Sequence, residues 1–331
     1  MMSEDDQIII GDCLDSLRAL PDSIAQCCIT SPPYYGLRDY GTRRWFHEAG
    51  ECAHLHVEEH EPNHRGQVEQ TKWKAALAAG RGQTATTSTC LDCGAWYGQL
   101  GLEPTPEMYS TNMVEIFREV RRVLRPDGVL WLNLGDSYTS EAGSKEVLSS
   151  LPAKNLIGVP WMTAFALRAD GWILRSEVIW HKPNAMPESV QDRPTKSHEH
   201  VFLLTKKQDY FYDWAAIQES TLRQSEPSQG ARNRRDVWSI NTKPYKGSHF
   251  AVMPEQLARL CIRGGSKTGS LVLDPFAGSG TTLAVAKEMG RSFIGLELNP
   301  EYKPLIEERV RKSSEWYASI QNAKASQLLS E

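Results

Sequence analysis

A chain of 331 residues is long enough for one large α/β domain with insertions, or for two smaller domains. Its 37 Lys and Arg against 41 Asp and Glu give a net charge of −4, which excludes a protein that coats nucleic acid non-specifically. There is no apolar run of membrane-spanning length, the N-terminus is polar, and the seven cysteines do not resemble a secreted disulfide framework, so we expect a cytoplasmic protein with no membrane partner.

Two short predicted strands open the chain, and polar residues follow each of them. Residues 7–10 form the first strand, and Asp12 follows it at the position of an N-terminal cap for the next helix. Residues 24–30 form the second strand, which leads into Ser31, Pro32, Pro33 and Tyr34. The two prolines fix the direction of the backbone there. A plain proline turn after a strand is the alternative interpretation.

The composition changes in residues 44–100, where apolar periodicity fades and His, Gly, Gln and Thr accumulate. This segment carries two half-sites with metal-ligand spacing, Cys-x-His and Cys-x-x-Cys-Gly. We predict one structural zinc ion, which would stabilise an insertion with too few large apolar residues for its own core, bound by Cys52, His54, Cys90 and Cys93. His56 is the alternative to His54, which we prefer because residues two apart lie on the same side of an extended chain. A flexible loop with incidental cysteines is the competing interpretation.

A helix is predicted from Thr105, its cap, and a turn at residues 125–128 separates it from a strand over residues 129–134. Asp136 and Tyr138 follow that strand and either contact a ligand or shape the loop.

Three consecutive polar residues, His198, Glu199 and His200, precede a predicted strand over residues 201–205. Strand alternation sends the two histidines to one face and Glu199 to the other, which argues against a shared metal site.

Residues 213–247 show little periodicity but carry a basic cluster. Arg232, Arg234 and Arg235 either contact DNA or form a solvated face. Near the C-terminus we predict an amphipathic helix over residues 302–315, followed by a frayed tail at 317–331.

The stretch from Asp274 to Thr282 is a glycine-containing turn between a predicted strand over residues 270–273 and a helix. The strand after that helix ends at Glu297, where a carboxylate accepts hydrogen bonds from a ribose in Rossmann-like sites. Because the pyrophosphate fingerprint Gly-x-Gly-x-x-Gly is absent, a ligand with a ribose but no pyrophosphate fits best, such as S-adenosylmethionine. A tight structural connection is the alternative.

Two of these stretches resemble one family. Asp-Pro-Phe-Ala-Gly-Ser-Gly-Thr-Thr at 274–282 is similar to the cofactor motif of the amino-group DNA methyltransferases, and Ile-Thr-Ser-Pro-Pro-Tyr at 29–34 resembles their catalytic motif. Here the catalytic motif comes first, which is the permuted order called the β class. The resemblance runs from about Ile8 to Val310, with an uncertain match near residues 214–247.

The resemblance implies an α/β fold, a Rossmann-like S-adenosylmethionine-dependent methyltransferase with a mixed, mainly parallel sheet. We expect the catalytic domain at 1–43 and 101–316, a zinc-knuckle-like insertion at 44–100, target recognition at 213–247 and a tail at 317–331. It implies a catalytic role for Ser31, Pro32, Pro33 and Tyr34. It implies cofactor contacts for Asp12, Cys13, Thr30, His249, Phe250, Ala251, Asp274, Pro275, Phe276, Ala277, Gly278, Ser279, Gly280, Thr281, Glu297, Leu298 and Asn299. It places Lys182, Arg193 and Glu199 on the base and DNA side.

The implied reaction is site-specific methylation of double-stranded DNA on the exocyclic amine of a flipped base. Serine at position 31 favours cytosine N4, since the adenine branch usually has Asp or Asn there. Adenine N6 methylation is the first alternative, and an inactive DNA-binding zinc protein is the second. A methyltransferase for glutamine or RNA is a further one. A cognate restriction endonuclease is the expected partner, and the chain is expected to be a monomer or homodimer.

Overall fold

The computed structural model describes residues 5–37, 39–40, 42–46, 52–60, 87–139, 151–223, 226–242 and 253–328. Two compact units make up the chain. The first comprises Met1–Pro32, Ile116–Leu134 and Arg168–Glu331, and the second comprises Pro33–Glu115 and Gly135–Leu167.

The elements, in chain order, are β1 (Gln7–Ile10), α1 (Cys13–Ala19), β2 (Ala25–Thr30), β3 (Arg44–Phe46), β4 (Val57–His60), β5 (Thr87–Cys90), β6 (Trp96–Gly98), α2 (Pro106–Val123), β7 (Leu124–Leu134), α3 (Val159–Ala169), β8 (Ile173–His181), β9 (His198–Thr205), β10 (Glu219–Arg223), β11 (Glu226–Arg232), β12 (Val237–Ser239), α4 (Glu255–Gly265), β13 (Leu271–Asp274), α5 (Thr281–Glu288), β14 (Ser292–Glu297) and α6 (Lys303–Leu328).

An eight-stranded sheet organises the first unit, in the order β1-β14-β13-β2-β7-β9-β8-β12. In sheet order, the neighbouring strands β1, β14, β13, β2 and β7 all pair in parallel. β9 pairs antiparallel with β7 and β8, and β12 pairs in parallel with β8. The predicted mixed, mainly parallel sheet is confirmed. Every residue of β2 is buried, as expected for a strand covered on both faces. Because β1, β14, β13, β2 and β7 are parallel, their carboxyl ends meet at one edge.

β7 is longer than predicted. The sequence of residues 125–128 predicts a turn before the strand, but β7 already begins at Leu124. Leu124 pairs with Ala25 and Val129 with Cys27, so residues 125–128 of β7 lie opposite Gln26 alone, and β7 carries three extra residues in a bulge. The bulge explains why a turn-like sequence lies inside a strand. The side-chain amide of Gln26 donates to the Asp127 carbonyl within it, at 3.4 Å.

In the second unit, β3, β6, β5 and β4 form a four-stranded antiparallel sheet in that order. All four strands lie within residues 44–100. Within this segment Trp96 and Ala95 are fully buried, and Phe46 packs on Trp96 with ring centroids 5.1 Å apart. That the segment has too few large apolar residues for a core of its own stays a prediction. Residues 61–86 lie outside the described part of the chain.

Two further segments are more regular than predicted. Strands β10 and β11 pair antiparallel, although the sequence shows little periodicity there. The last helix, α6, continues to Leu328 and replaces the predicted frayed tail over most of its length. Its sequence from 316 to 328 contains no Gly or Pro. A Cβ at Gly290 would lie 2.6 Å from the Tyr317 hydroxyl, so this ring packs tightly on the turn before β14.

Among the residues that the structure describes, no helix is both long and apolar enough to cross a membrane.

Candidate active site and Cys/His cluster

The stretch at 29–34 that resembles the catalytic motif and the stretch at 274–282 that resembles the cofactor motif are joined by a hydrogen bond between neighbouring strands. The Thr30 hydroxyl, at the end of β2, donates to Asp274 Oδ1, at the end of β13, over 2.7 Å. The same oxygen accepts the Phe276 amide at 3.1 Å. Burial raises the pKa of Asp274 to about 6, although hydrogen bonds from Thr30, Thr282 and Phe276 oppose the rise. Ser31, the next residue after Thr30, is therefore held beside the start of the glycine turn.

The glycine turn itself is shaped by packing. Gly278 and Gly280 have φ of 51° and 76°, in the left-handed region that favours glycine. A Cβ at Gly280 would lie 2.8 Å from the Ile306 side chain of α6, so glycine is required for α5 and α6 to approach each other. Ser279 accepts a hydrogen bond from Arg309 of α6 at 3.0 Å. Gly280 and Ser279 thus contact the last helix, while the N–H of Gly278 faces the end of β14.

Glu297 closes the glycine turn from that strand end. Its Oε2 accepts the Gly278 amide and its Oε1 accepts the Asn299 amide, both at 2.8 Å. Burial raises the pKa of Glu297, opposed by these amide hydrogen bonds. A carboxylate has about four lone-pair positions, so Glu297 keeps acceptor capacity for a ligand. Asn299 in turn caps the short helix at residues 300–302 by accepting the Glu301 amide at 3.0 Å.

Asp12 lies at the end of β1, next to Glu297. The Gly11 amide donates to the Glu297 carbonyl at 3.0 Å, which joins the two strand ends. Asp12 Oδ1 caps α1 by accepting the amides of Leu14 at 2.9 Å and Asp15 at 3.2 Å. The capping role foreseen for Asp12 is therefore present, and its contact with a cofactor remains a prediction.

A polar network extends from Ser31 across the sheet. The Asn133 side-chain amide donates to Ser31 Oγ at 3.3 Å and to Glu199 Oε2 at 2.8 Å. Glu199 Oε1 forms an ion pair with Lys182, whose ammonium lies over the Trp180 ring. The structure thus connects Glu199 and Lys182 to Ser31 through Asn133, and their place on the base and DNA side stays a prediction. Sequence reasoning missed Asn133, although one amide in the apolar run 129–134 was a usable signal.

The second unit holds the end of the catalytic motif. The Tyr109 hydroxyl of α2 donates to the Pro33 carbonyl at 2.9 Å. A Cβ at Gly135 would lie 2.7 Å from the Tyr34 ring, which therefore rests directly on this glycine. Asp136 caps α3 by accepting the amides of Gly158 at 3.0 Å and Val159 at 3.2 Å. Asp136 thus shapes the loop, one of its two predicted roles.

Four side chains of the second unit form a compact Cys/His cluster, with one potential ligand atom from each within 4.8 Å of all the others: Cys52, His54, Cys90 and Cys93. Cys52 and Cys90 sulfurs are 3.7 Å apart, and the Cys93 sulfur is 3.5 Å from His54 Nδ1. All seven cysteines of the chain are free thiols.

His54 rather than His56 joins this cluster, as predicted, but the reason given was wrong. His54 has φ of 49°, so the chain is in the left-handed region and not extended. The His54 ring stacks on Trp45 with centroids 4.0 Å apart, whereas the exposed His56 pairs with Asp92 at 3.1 Å. Gly94, at φ 75°, allows the tight turn in which its amide donates to the Cys90 carbonyl at 2.8 Å.

The predicted DNA-contacting arginines have partners of their own. Arg193 binds Glu188 at 2.6 Å, and Arg232 and Arg235 share the Glu219 carboxylate at 2.8 and 2.6 Å. Arg234 donates to the Ile217 carbonyl at 2.8 Å. Arg235 remains the most exposed of the three in the hairpin region, with 69 % of its side chain accessible.

The remaining predicted site residues are less informative. Cys13 begins α1, and Leu298 is exposed at the sheet edge. His249, Phe250 and Ala251 lie outside the described residues. His200 pairs with Glu177 while Glu199 pairs with Lys182, so the alternation that argued against a shared metal site is confirmed.

Comparison with solved structures identifies the class of fold. The cytosine-N4-specific PvuII DNA methyltransferase aligns with a TM-score of 0.59 at 18% identity, covering 97% of this chain and 94% of that one. A putative DNA modification methylase of Thermus thermophilus, solved with S-adenosyl-L-methionine, aligns with a TM-score of 0.56 at 21% identity, covering 93% and 94%. The fold is that of an α/β methyltransferase.

Sequence comparison identifies the family. The family described as DNA methylase, which unites N6 and N4 methyltransferases, matches residues 25–308. The type II methyltransferase M.SmaI of Serratia marcescens is 42% identical over 320 residues, covering 92% of this chain and 90% of the relative. M.Cfr9I of Citrobacter freundii is 40% identical over 317 residues, covering 91% and 86%. The chain belongs to the N6/N4 DNA methylase family of S-adenosylmethionine-dependent DNA methyltransferases.

Proposed function

We propose that this enzyme methylates the exocyclic N4 amine of a cytosine flipped out of double-stranded DNA. The observation that carries the proposal is the hydrogen bond between Thr30 and Asp274, since it joins the catalytic motif at 29–34 to the cofactor motif at 274–282 at one sheet edge. Serine at position 31, next to Thr30, is the residue that the cytosine-N4 branch uses.

The residue types suit this chemistry. An exocyclic base amine is a poor nucleophile because its lone pair is delocalised into the ring. The Ser31 hydroxyl and the Pro32 carbonyl can each accept one of its hydrogens, which draws the nitrogen toward tetrahedral geometry. Asn133 donates to Ser31 Oγ and thereby limits how this hydroxyl can turn. Tyr34 offers a ring on which an extruded base can stack. No cysteine need act as nucleophile.

The residues at the sheet edge fit S-adenosylmethionine, which when bound supplies an electrophilic methyl group. Glu297 has remaining acceptor capacity for the ribose hydroxyls. Asp12, at the neighbouring strand end, is proposed to accept from the adenine amino group. The turn from Asp274 to Thr281, with Leu298 and Asn299 beyond β14, would line the rest of this site.

We also propose that the Cys/His cluster binds one structural zinc ion. A tetrahedron with Zn–S bonds of about 2.3 Å and a Zn–N bond of about 2.0 Å has S–S edges of about 3.8 Å and S–N edges of about 3.5 Å. The Cys52–Cys90 S–S distance of 3.7 Å and the Cys93–His54 S–N distance of 3.5 Å match two of the tetrahedron's six edges. Three thiolates and one imidazole close the coordination shell, so no position is left for a reactive water. The ion would serve the fold of residues 44–100.

Target recognition is proposed for residues 213–247, with Arg232 and Arg235 as phosphate contacts that would exchange Glu219 for DNA. Arg193 would contact DNA from outside this region. Arg234 would hold the segment after β11 to the segment before β10, given its bond to the Ile217 carbonyl. Because M.SmaI and M.Cfr9I are named type II methyltransferases, a cognate restriction endonuclease is proposed as the partner activity.

The test is to incubate plasmid DNA with the enzyme and S-adenosylmethionine, digest the DNA to nucleosides and separate them by mass spectrometry. N4-methyldeoxycytidine is expected. N6-methyldeoxyadenosine would replace the cytosine assignment by its adenine alternative. Methyl transfer to RNA or protein alone would overturn the proposal, and no transfer at all would favour the inactive DNA-binding alternative.

A further inference from the structure

A buried carboxyl group of the second unit has no part in the chemistry described so far. Glu103 lies between β6 and α2 with 1 % of its surface exposed. Its Oε2 accepts the Gly101 amide at 2.7 Å, and its Oε1 accepts the side-chain amide of Asn112, on α2, at 2.9 Å. Burying a carboxylate costs stability, so an apolar residue would serve packing better.

Gly101 connects this carboxylate to the catalytic loop. Its carbonyl accepts the Gly36 amide at 2.9 Å. A Cβ on Gly101 would lie 2.9 Å from the Tyr34 carbonyl oxygen and 3.3 Å from Pro33 Cβ. Gly101, at φ 93°, thus presses directly on the backbone of Pro33 and Tyr34, and its own position depends on the hydrogen bond to Glu103.

Helix α2, which carries Asn112, also contacts the backbone at Pro33. Tyr109 donates to the Pro33 carbonyl at 2.9 Å, and Asn112, which binds Glu103, lies three residues further along α2. Residues three apart lie on the same helix face. One face of α2 therefore holds both the loop, through Tyr109, and the carboxylate that fixes Gly101.

We propose that Glu103 is a positioning residue for methyl transfer, which sets the backbone of Pro33 and Tyr34 through Gly101. This inference rests on the proposed function, because Tyr34 is there the residue on which the flipped base stacks. Glu103 does not touch the base or the cofactor. It determines where the stacking ring is.

The positioning depends on pH, because the ionised carboxylate is a strong acceptor for both donors, whereas protonation makes one oxygen a donor and a weaker acceptor. A protonated acid would turn an O–H toward one of two N–H groups that also donate. Burial raises the pKa of Glu103 to about 7, opposed by hydrogen bonds from Asn112, its own amide and Gly101. The hold on Gly101 is therefore strong above about pH 7 and weakens as the pH falls through that value.

The other titratable groups around Glu103 do not obscure this step. Tyr35 and Tyr109 face it, and burial raises the pKa of both phenols, so they stay protonated across the range. Glu107 acts on Tyr35, and Tyr40 acts on Tyr109. Glu107 is exposed at the start of α2, which makes Glu107→Gln a matched control for loss of one carboxylate near the loop.

The test compares single-turnover methylation rates from pH 6 to 8.5 at saturating cofactor and DNA, with cofactor affinity and melting temperature measured in parallel. Wild type should lose rate as the pH falls through about 7. Glu103→Gln should be at least tenfold slower at pH 8 with cofactor Kd within twofold, and Glu107→Gln should match wild type. The double variant Glu103→Gln, Asn112→Asp exchanges donor and acceptor, so it should recover most of the rate at pH 8.

A folded Glu103→Gln with wild-type rate and pH profile would overturn the positioning role, and so would a flat wild-type profile. Should Glu103→Gln alone fail to fold, the double variant and the wild-type profile decide. Absence of methyl transfer by wild type at any pH would instead overturn the proposed function, which keeps the two failures apart.

Discussion

Replacing Glu297 by alanine probes the proposed cofactor site. The carboxylate lies at the end of β14, accepts the amides of Gly278 and Asn299, and is assigned to the two ribose hydroxyls of S-adenosylmethionine. Alanine removes every one of these acceptors. Two lost hydrogen bonds to a partly buried ligand, at about 1–2 kcal/mol each, give about 2–4 kcal/mol of binding free energy. That loss corresponds to a Kd about 30-fold to about 900-fold higher.

Isothermal titration calorimetry with S-adenosylmethionine in the absence of DNA measures this directly. Glu301→Ala is the matched control, because Glu301 is an exposed glutamate four residues away whose backbone amide donates to Asn299 Oδ1, a bond that alanine keeps. We expect the control to keep wild-type affinity. Equal affinity of wild type and Glu297→Ala would refute the assignment of β14 as the ribose-binding strand.

Three further predictions address the base, the stability and the metal. Ser31→Ala should slow single-turnover methylation while cofactor Kd stays within a few-fold, so a wild-type rate would remove Ser31 from the chemistry. Burial raises the folded-state pKa of Asp274 from 3.8 to about 6, so its contribution to the free energy of unfolding is complete below pH 3.8 and is lost as the pH rises through 6. The loss amounts to about 3 kcal/mol. Urea unfolding of Asp274→Asn should lack that decline with pH, and a variant with the wild-type pH profile would contradict the prediction. Elemental analysis should find about one zinc per chain, and Cys90→Ser should lose it and expose residues 44–100 to protease while still binding cofactor, whereas metal-free wild type would end the zinc proposal.

The sequence was sufficient for the parts of the fold that depend on local patterns. The buried strand before Ser31, the strand before the glycine turn and the cap at Thr105 all follow from residues adjacent in the chain, and the structure contains each of them. The Cys/His cluster also followed, because Cys-x-x-Cys-Gly encodes its own turn geometry.

What the sequence could not provide depends on contacts between distant residues. Asn133 becomes part of the site only because β7 lies between β2 and β9, which brings Ser31 and Glu199 to its two sides. The resemblance implied a cofactor contact for Gly280, and the close approach of Ile306 shows that helix packing also requires glycine there. The bulge near Asp127 and the length of α6 likewise arise from pairing and packing.

Direct transfer of a methyl group to an exocyclic DNA amine can be followed with S-adenosylmethionine carrying a ¹³C-methyl group and duplex DNA carrying ¹⁵N at the cytosine amine. NMR of the product should show a ¹³C–¹⁵N coupling at cytosine N4, with no label retained on the protein. A methyl group bonded to a ring carbon or held covalently by the enzyme would rule out direct transfer to the amine.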